Sequence, residues 1–250
     1  MTAEIDAPIE FADYVGTIRY PKSVLGKENL ILGVFDNDRL RVKLSELSLR
    51  SGLPKPTTHR LARELVHRGL LEQQDEWYRL GARIFELGQK TIDGRALRNV
   101  ARPHLADLFA ETRTTTHPVM MDGDEVLFVD KIAGAADRNE ATDGGRRLPV
   151  TCTASGKLLL AWCCTDDEIT RRYAGCTLAR PTPRSLRSVD KLVNECSRVR
   201  RVGFAVDLEE NTPGHCSAAV PVVTSGNQVL AAISVTRQAS VMNLHKFLPL

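Results

Sequence analysis

The chain has 250 residues, 42% hydrophobic and 26% charged, which is the usual composition of a soluble globular protein with one large or two ordinary domains. Its first twenty residues contain no apolar export segment, and its densest apolar run, residues 229–235, is too short to cross a membrane. The six cysteines show no Cys-x-x-Cys spacing, so we expect reduced thiols and a cytoplasmic location.

Residues 1–21 show little periodicity and are predicted to form a flexible N-terminal arm. From Ser23 to about Asp36 the apolar residues recur at near-helical spacing, which predicts a helix that supports the two helices after it. The apolar residues of this segment are Val24, Leu25, Leu30, Ile31 and Val34.

Two short amphipathic patterns meet at a tight turn between Val42 and Glu72. Gly52 breaks the first pattern, and the second helix is predicted to begin at Pro54, where the missing N–H costs no helical hydrogen bond. The apolar positions of the first helix are Leu44, Leu47 and Leu49, and the inward stripe of the second is Thr58, Leu61, Ala62 and Leu65. This arrangement predicts a helix-turn-helix.

The positive charge of the chain is concentrated in the same stretch. Residues 39–70 contain eight basic and two acidic residues, a net charge of +6, whereas the whole chain has 34 basic and 31 acidic residues, a net charge of +3. Paired amphipathic helices also occur in domains that never bind DNA, and many basic faces are only solvated. The localised charge favours DNA binding, because Lys and Arg contacts to phosphates release counterions.

A polar tip at residues 73–76 separates two short segments, Gly69–Glu72 and Trp77–Leu80, which predict a hairpin. Three helices followed by a hairpin are the order of a winged helix-turn-helix. The tip of this wing is acidic, so Arg79 is predicted to contact the DNA backbone in its place. The predicted DNA-binding set, in which Thr58 also belongs to the inward stripe, is Arg41, Lys55, Thr57, Thr58, His59, Arg60, Arg63 and Arg79.

Residues 81–113 carry a long, intermittent apolar stripe, which predicts a connecting helix. Gly94 and Pro103 predict that this helix is broken, and we place the domain boundary near residues 88–95. The predicted divisions are the arm at 1–21, a DNA-binding domain at 22–88, a linker helix at 89–112 and a second domain at 113–250.

The second half alternates between strand and helix patterns. Pro118–Val129 predicts a hairpin around Asp122-Gly123, and residues 133–147 predict a loop. Helices are predicted over Thr151–Trp162, after a capping box that starts at Thr165, and over Ser188–Val202. Two further strands, roughly Ser217–Val223 and Val229–Thr236, complete an antiparallel sheet with flanking helices, an α+β domain.

These motifs, in this order, resemble the IclR family of bacterial transcription regulators over nearly the whole chain. No single motif is specific to this family, but the number of motifs and their order and spacing are. In the first half they are SVL at 23–25, LSEL at 44–47, SGLPK at 51–55, HRL at 59–61, RGLLE at 68–72 and YRLG at 78–81. In the second half they are LPV at 148–150, SGK at 155–157, LA at 160–161, GFAVD at 203–207, EE at 209–210, PG at 213–214, AAVPV at 218–222 and AAISV at 231–235.

The resemblance implies an α+β architecture with an N-terminal winged helix-turn-helix, a linker helix and a C-terminal GAF-like domain that binds an effector on an antiparallel sheet. It implies a homodimer or homotetramer that binds a palindromic double-stranded DNA operator. Such regulators act as repressors or activators and respond to a small organic or aromatic acid, without a cofactor and without a membrane.

Carried over to this sequence, the family's effector pocket would involve Ala154, Ser155, Asp207, Ser217, Ser234 and Thr236. A helix start with free N–H groups suits a carboxylate, and Ser234 and Thr236 lie two apart on a strand and so face one side. Small residues at these positions also fit simple close packing, so both interpretations remain open. Many members have Cys where this chain has Ser217, Ser where it has Pro56, and a longer C-terminal helix.

The sequence offers no catalytic constellation. His215 and Cys216 lack a second pair of ligands for a metal, and the Ser-Gly-Lys sequence at 155–157 lacks the opening glycine of a phosphate loop. Alternation along a strand points the acidic residues at 207–210 to different faces, which argues against an acid pair for hydrolysis. We therefore expect a transcription regulator without enzymatic activity; the alternative is a small-molecule-binding enzyme with an appended DNA-binding module.

Overall fold

A computed structural model describes residues 23–35, 39–90, 92–134, 144–224 and 226–242. The chain forms two compact units that divide between Thr91 and Ile92. This division falls inside the interval 88–95 in which the sequence places the domain boundary. The predicted arm at 1–21, and residues 135–143 of the predicted loop, lie outside the described residues.

The first unit is a group of helices with a small sheet. Its elements are α1 (Val24–Leu32), β1 (Val42–Lys43), α2 (Leu44–Ser51), α3 (Lys55–His67), β2 (Leu71–Gln74), β3 (Trp77–Leu80) and α4 (Ala82–Gly88). The strands are antiparallel in the order β1-β3-β2. The predicted hairpin is confirmed, and β1, which the sequence does not predict, adds a third strand by pairing Val42 with Tyr78.

The turn between α2 and α3 depends on Gly52, whose φ of 68° is left-handed and ends α2. The core beneath this turn is apolar, and its fully or almost fully buried members include Ile31, Leu47, Leu53, Leu61, Leu65, Leu71 and Tyr78. Leu49 does not join it: its side chain is 81% exposed, so its assignment to the apolar positions of α2 is wrong. The helix α2 is only eight residues long, and Leu47 alone of its leucines is fully buried.

The second unit is an antiparallel sheet flanked by helices. Its helices are α5 (Ile92–Thr112), α6 (Ala154–Cys163), α7 (Asp166–Arg172) and α8 (Val189–Val202). Its strands are β4 (Thr115–Asp122), β5 (Glu125–Phe128), β6 (Arg147–Pro149), β7 (Ala205–Leu208), β8 (His215–Val223) and β9 (Val229–Gln238). The sheet order is β6-β5-β4-β9-β8-β7, with every described pair antiparallel.

The helix α6 lies on this sheet and is buried along almost its whole length. Leu158, Leu159 and Leu160 pack into a core with sheet residues such as Val119 and Ala232. Because α6 is buried on several sides, its sequence reads as a continuous apolar run rather than as an amphipathic stripe. This placement sets the N-terminal end of α6 against the strands.

The local signals that mark helix ends agree with the structure at α7 and disagree with it at α5. The capping box is confirmed, since Thr165 and Glu168 bond each other's backbone N–H groups at the start of α7. The predicted break at Gly94 and Pro103 is wrong. One helix, α5, continues through Pro103, and the interruption lies between Gly88 and Ile92, where α4 ends and α5 begins.

Candidate DNA interface and effector cavity

The helix α3 presents two faces of different chemistry. Thr58, Leu61, Ala62 and Leu65 are buried, as their helical spacing predicts. On the other side Lys55, His59, Arg60 and Arg63 are exposed, and Thr57 is half-buried. A short helix with exposed basic and hydroxyl side chains has the donors needed for phosphate oxygens and base edges.

The basic residues of the first unit differ in whether an acid neutralises them. Arg50 pairs with Glu46 at 2.8 Å, Arg68 with Glu64 at 2.7 Å, and Lys43 with Glu76 at 2.6 Å. Among the described residues, no salt bridge involves Arg41, or the α3 side chains Lys55, Arg60 and Arg63. The uncompensated positive charge therefore lies on the outward face of α3 and at Arg41, which lines a groove with residues of the β2-β3 hairpin, and not evenly over the +6 stretch.

Thr58 does not belong on that outward face. Its side chain is fully buried, and its hydroxyl lies 3.2 Å from the carbonyl oxygen of Leu53 and 3.1 Å from that of Pro54. Both acceptors are in the turn that precedes α3, so Thr58 stabilises the start of the helix. Its inclusion in the DNA-contacting set is corrected: this hydroxyl cannot reach a groove while it is buried.

The wing residue Arg79 is neutralised by its own hairpin. Its guanidinium donates to Glu72 at 2.9 and 2.6 Å across the β2-β3 pair, and this hydrogen bonding holds the pKa of Glu72 below its usual range. Lys43 is likewise held, over the ring of Trp77 at 4.7 Å and against Glu76. The charge of Arg79 is therefore largely committed to Glu72, so Arg79 is less available to an anion than the α3 side chains without a salt bridge.

A narrow cavity in the second unit gathers all six residues that the sequence carries over as effector ligands. Ala154 and Ser155 contribute from the start of α6, Asp207 from β7, and the other three from β8 and β9. Further lining residues, which the sequence does not predict, are Phe128, Leu148, Thr153, Asn211, Thr212 and His215. The free space is about 20 Å³, room for roughly one water molecule.

Strand register explains why residues far apart in sequence meet at this cavity. Asp207 is opposite Ser217 and Ser217 is opposite Thr236, so these three side chains form a row across β7, β8 and β9. Ser234, two residues before Thr236, projects from the same face one row away. The hydroxyls of Ser217 and Thr236 lie 2.9 Å apart and share a hydrogen bond.

The start of α6 is fixed by a cap and by a close backbone approach. Thr153 accepts a hydrogen bond from the Gly156 amide at 3.2 Å and donates one to the Pro149 carbonyl at 3.0 Å. A Cβ on Gly156 would lie 2.3 Å from the carbonyl oxygen of Val150, so only glycine fits there. The first amides of a helix have no partner within it, so those of Ala154 and Ser155 form a donor edge at the cavity.

Asp207 is an acid held in an unfavourable environment for its charge. Burial raises the pKa of its carboxyl to about 7, and the nearby Glu210 carboxylate adds to the effect. One carboxylate oxygen accepts hydrogen bonds from the backbone amides of Glu210 at 2.6 Å and Asn211 at 3.4 Å. These hydrogen bonds stabilise the charged form and so oppose the rise in pKa. Asp207 therefore orders the segment that follows β7 and also changes charge near neutral pH.

A buried ion pair beneath the cavity was not foreseen from the sequence. The side chain of Lys157 on α6 is 1% exposed, and its ammonium contacts Glu210 at 2.5 Å and Glu195 of α8 at 3.8 Å. Burial raises the pKa of Glu210, which Lys157 opposes. The Ser-Gly-Lys sequence contains the only signal, a lysine within an apolar helix, whereas its acidic partner lies 53 residues away.

The described residues show no group of three or more His, Cys, Asp or Glu side chains arranged to hold a metal ion. His215 and Cys216 are consecutive on β8, and His215 lines the cavity whereas Cys216 does not. Burial raises the pKa of Cys152, next to the cavity, to about 12, so its thiol is protonated at neutral pH. In the part of the chain that is described, no helix has both the length and the apolar composition to cross a membrane.

The two units match two family models. Residues 30–75 match the IclR helix-turn-helix domain, and residues 89–248 match the bacterial transcriptional regulator IclR C-terminal domain. The relatives named as regulators include XynR of Escherichia coli K12, 34% identical over 84% of this chain and 84% of that protein. KdgR of the same strain is 30% identical over 78% of this chain and 74% of its own length.

Solved structures agree with this assignment. An IclR homologue from Microbacterium hydrocarbonoxydans, complexed with 4-hydroxybenzoate, superposes with a TM-score of 0.79 at 27% identity. The match covers 89% of this chain and 92% of that one. The helix-turn-helix unit, the antiparallel sheet unit and these matches together show that the chain belongs to the IclR family of bacterial transcription regulators.

Proposed function

We propose that this protein binds a palindromic DNA operator through α3 of two copies of the chain, as a homodimer or a pair of dimers. The observation that carries the proposal is the absence of salt bridges, within the described residues, at Lys55, Arg60 and Arg63 on an exposed helix face. Neighbouring arginines are neutralised by acids, so this face keeps its charge for phosphates and for the acceptor atoms of guanine.

The cavity of the second unit binds the effector, a small organic or aromatic acid. Support comes from the donor edge at Ala154 and Ser155, which suits a carboxylate, and from the relative whose structure holds 4-hydroxybenzoate. Because the cavity has room for about one water molecule, the effector enters only as its walls separate. Effector binding is thereby coupled to a movement of the sheet or of α6.

A chain of contacts leads from the cavity to α5, which follows the DNA-binding unit in sequence. Ser234 and Thr236 of β9 pair with His117 and Thr115 of β4. Thr116 of β4 lies with its hydroxyl 3.3 Å from the carbonyl oxygen of Leu105 in α5. A displacement of β9 by the effector is transmitted through β4 to α5, and it alters the spacing of two recognition helices relative to the operator half-sites. No catalytic step is part of this function.

A titration of operator binding tests the recognition assignment. Arg60→Ala removes an exposed, uncompensated charge, so we expect DNA affinity to fall by roughly 1–3 kcal/mol and the salt dependence of binding to decrease by about one unit of slope. Gel-shift titrations of the full chain against its own promoter region, at several salt concentrations, measure both quantities.

Arg68→Ala is the matched control, because Arg68 is an exposed arginine just after α3 that already pairs with Glu64. We expect it to change DNA affinity much less than Arg60→Ala. Equal affinities for Arg60→Ala and the unsubstituted protein at physiological salt would refute the assignment of α3 as the recognition helix.

A further inference from the structure

Positive charge is also concentrated in a second stretch, residues 171–201, which runs from the end of α7 to the last turn of α8. It contains nine basic and two acidic residues, a net charge of +7, which exceeds the +6 of residues 39–70. Outside these two stretches the chain has 17 basic and 27 acidic residues, a net charge of −10. DNA recognition by α3 accounts for the first concentration of charge and leaves the second without a role.

Five basic side chains of this second stretch are exposed and, among the described residues, form no salt bridge. Its four other basic side chains are neutralised in salt bridges with acids. Of its two acids, Glu195 is paired with Arg198, so only Asp190 is left outside a salt bridge within the described part of the chain. The five uncompensated side chains are Arg171, Arg180, Arg187, Lys191 and Arg201.

The helix α8 carries part of this charge along one face. Lys191, Arg198 and Arg201 lie at i, i+7 and i+10, so they share one side of the helix over about 15 Å at the helical rise per residue. Asn194, which is exposed, lies between them on the same side. The opposite side is buried in the core of the second unit and consists of Leu192, Cys196 and Val199.

This face is held rigidly. Arg198 donates to Glu195 at 2.9 and 2.8 Å, which fixes its guanidinium on the helix surface. Arg200, on another side of α8, donates to the carbonyl oxygens of Ala161 at 2.5 Å and Cys164 at 2.8 Å and so ties α8 to the end of α6. A charged surface on a fixed helix loses little backbone freedom when it binds a partner.

The composition of this face indicates the class of its partner. Protein–protein interfaces have an apolar core with aromatic anchors. Along α8, every residue of which is described, Val202 is the only exposed large apolar side chain. Protein–DNA interfaces are more polar and much more positively charged, and arginine matches phosphate oxygens with two parallel hydrogen bonds. Four of the five uncompensated side chains are arginines, which favours phosphate as the group that is bound.

From these observations we propose that the second unit has its own DNA-binding surface, the α8 basic face, formed by Lys191, Arg198 and Arg201 with Arg187 just before the helix. It contacts the phosphate backbone of duplex DNA without sequence preference, through the release of counterions. This contact is additional to recognition of the operator by α3. It gives the protein affinity for DNA outside the operator.

Fluorescence anisotropy of a short labelled duplex without operator sequence, at several salt concentrations, tests the proposal. The full chain carries Lys55→Ala, Arg60→Ala and Arg63→Ala, which remove the uncompensated charge of α3. We expect this variant still to bind the duplex. Adding Lys191→Ala and Arg201→Ala should weaken binding roughly tenfold at low salt and lower the slope of log affinity against log salt by about two. Alanine is the best helix former, so α8 should stay folded.

Arg102→Ala with Arg172→Ala, in the same α3 background, is the matched control. It also removes two positive charges from the second unit, but at exposed positions off the α8 basic face. Arg102 lies on α5, and Arg172 pairs with Asp124 at 2.7 Å. We expect the control to keep the affinity for the duplex within about twofold, because neither side chain belongs to the proposed phosphate contacts.

Equal losses of affinity in the α8 and control variants would overturn the inference, because they would reflect net charge alone. Failure of the α3-substituted chain to bind the non-operator duplex at any salt concentration would overturn it as well. So would polyglutamate that displaces the labelled duplex more effectively than unlabelled duplex of equal charge, since the surface would then prefer an acidic protein. None of these outcomes bears on operator recognition by α3, which is judged separately from Arg60→Ala on the operator.

Discussion

The exposed basic side chains of this protein differ mainly in whether a neighbouring acid neutralises their charge. Arg60 and Arg68 are both exposed arginines at α3, but only Arg68 has an acid within ion-pair distance among the described residues. Exposed ion pairs of this kind add little stability, so the pairing matters more for which charges remain available to a phosphate. In the second unit, the buried pair of Lys157 and Glu210 holds the segment that carries Asn211 and Thr212 to the cavity.

The pKa of Asp207 makes a prediction about stability. Its folded-state pKa of about 7 is above the ordinary value of 3.8, so folding favours the protonated acid. Stability from this group is present below pH 4 and is lost as pH rises to 7, by an amount on the order of 4 kcal/mol. The Asp207→Asn variant does not titrate, so it lacks this loss of stability. Its side-chain oxygen can still accept hydrogen bonds from the backbone amides of Glu210 and Asn211. The variant should therefore gain stability relative to the unsubstituted protein as pH rises.

Urea unfolding between pH 4 and pH 8 measures this effect. In a Trp77→Phe background, fluorescence of Trp162 on α6 reports the second unit alone, because these are the two tryptophans of the chain. A stability difference that is the same at pH 4 and at pH 8 would show that the pKa of Asp207 is not raised.

At the scale of single elements, the start of α6 determines the shape of the cavity. Thr153 caps the helix, and Gly156 allows it to begin against the turn formed by Val150–Cys152. The three cavity strands then place Ser217, Ser234 and Thr236 opposite that helix end through their register. The helix end and the sheet thus form the cavity together, and neither is a site by itself.

Gly156→Ala should disturb this junction. Its Cβ would meet the Val150 carbonyl oxygen at 2.3 Å and the Val150 Cα at 2.4 Å, and both are backbone atoms that yield only if the chain shifts. We expect a loss of about 1–3 kcal/mol in unfolding free energy and weaker effector binding. Urea unfolding followed through Trp162, together with calorimetry, measures both.

Gly226→Ala, in the connection between β8 and β9, is the comparison, since the nearest atom to its added Cβ would be Thr224 Oγ1 at 3.7 Å. This change should leave stability within about 1 kcal/mol. Equal stabilities for the two variants would contradict the close approach at Gly156.

For the whole molecule, the proposed regulation is a coupling free energy between DNA binding and effector binding. Such coupling is typically about 1–3 kcal/mol and is reciprocal: each ligand changes the affinity of the other by the same factor. The proposed route runs through α5, where Arg98 donates to the Val129 carbonyl at 3.0 Å and lies 4.0 Å from Asp130. Val129 directly follows Phe128, which lines the cavity.

Arg98→Ala should therefore reduce the coupling by about 0.5–2 kcal/mol while each separate affinity changes little. Effector titrations with and without saturating operator measure the coupling. Arg102→Ala is the matched control, an exposed arginine one turn further along α5 that has no ion pair within the described residues. Unchanged coupling in Arg98→Ala would exclude this contact from the route.

Local rules were sufficient for much of this structure. Helical spacing places Leu61, Ala62 and Leu65 inward, Gly52 marks the turn before α3, and the capping box marks the start of α7. Two-residue alternation puts Ser234 and Thr236 on one face. The resemblance to a family, carried over residue by residue, supplied six residues that line one cavity. These features depend on neighbours within a few residues or on a pattern that the sequence displays directly.

The sequence by itself determined the helix-turn-helix, the antiparallel sheet and the concentration of basic charge at residues 39–70. Only the tertiary structure decided which of those charges are neutralised, as Arg79 is by Glu72, and that Thr58 faces the core. It alone showed that Lys157 is buried against Glu210, that α5 continues through Pro103 and that the cavity at the start of α6 has room for roughly one water molecule. The physical reason is that ion pairs, burial and cavity volume depend on contacts between residues distant in sequence, which no local pattern encodes.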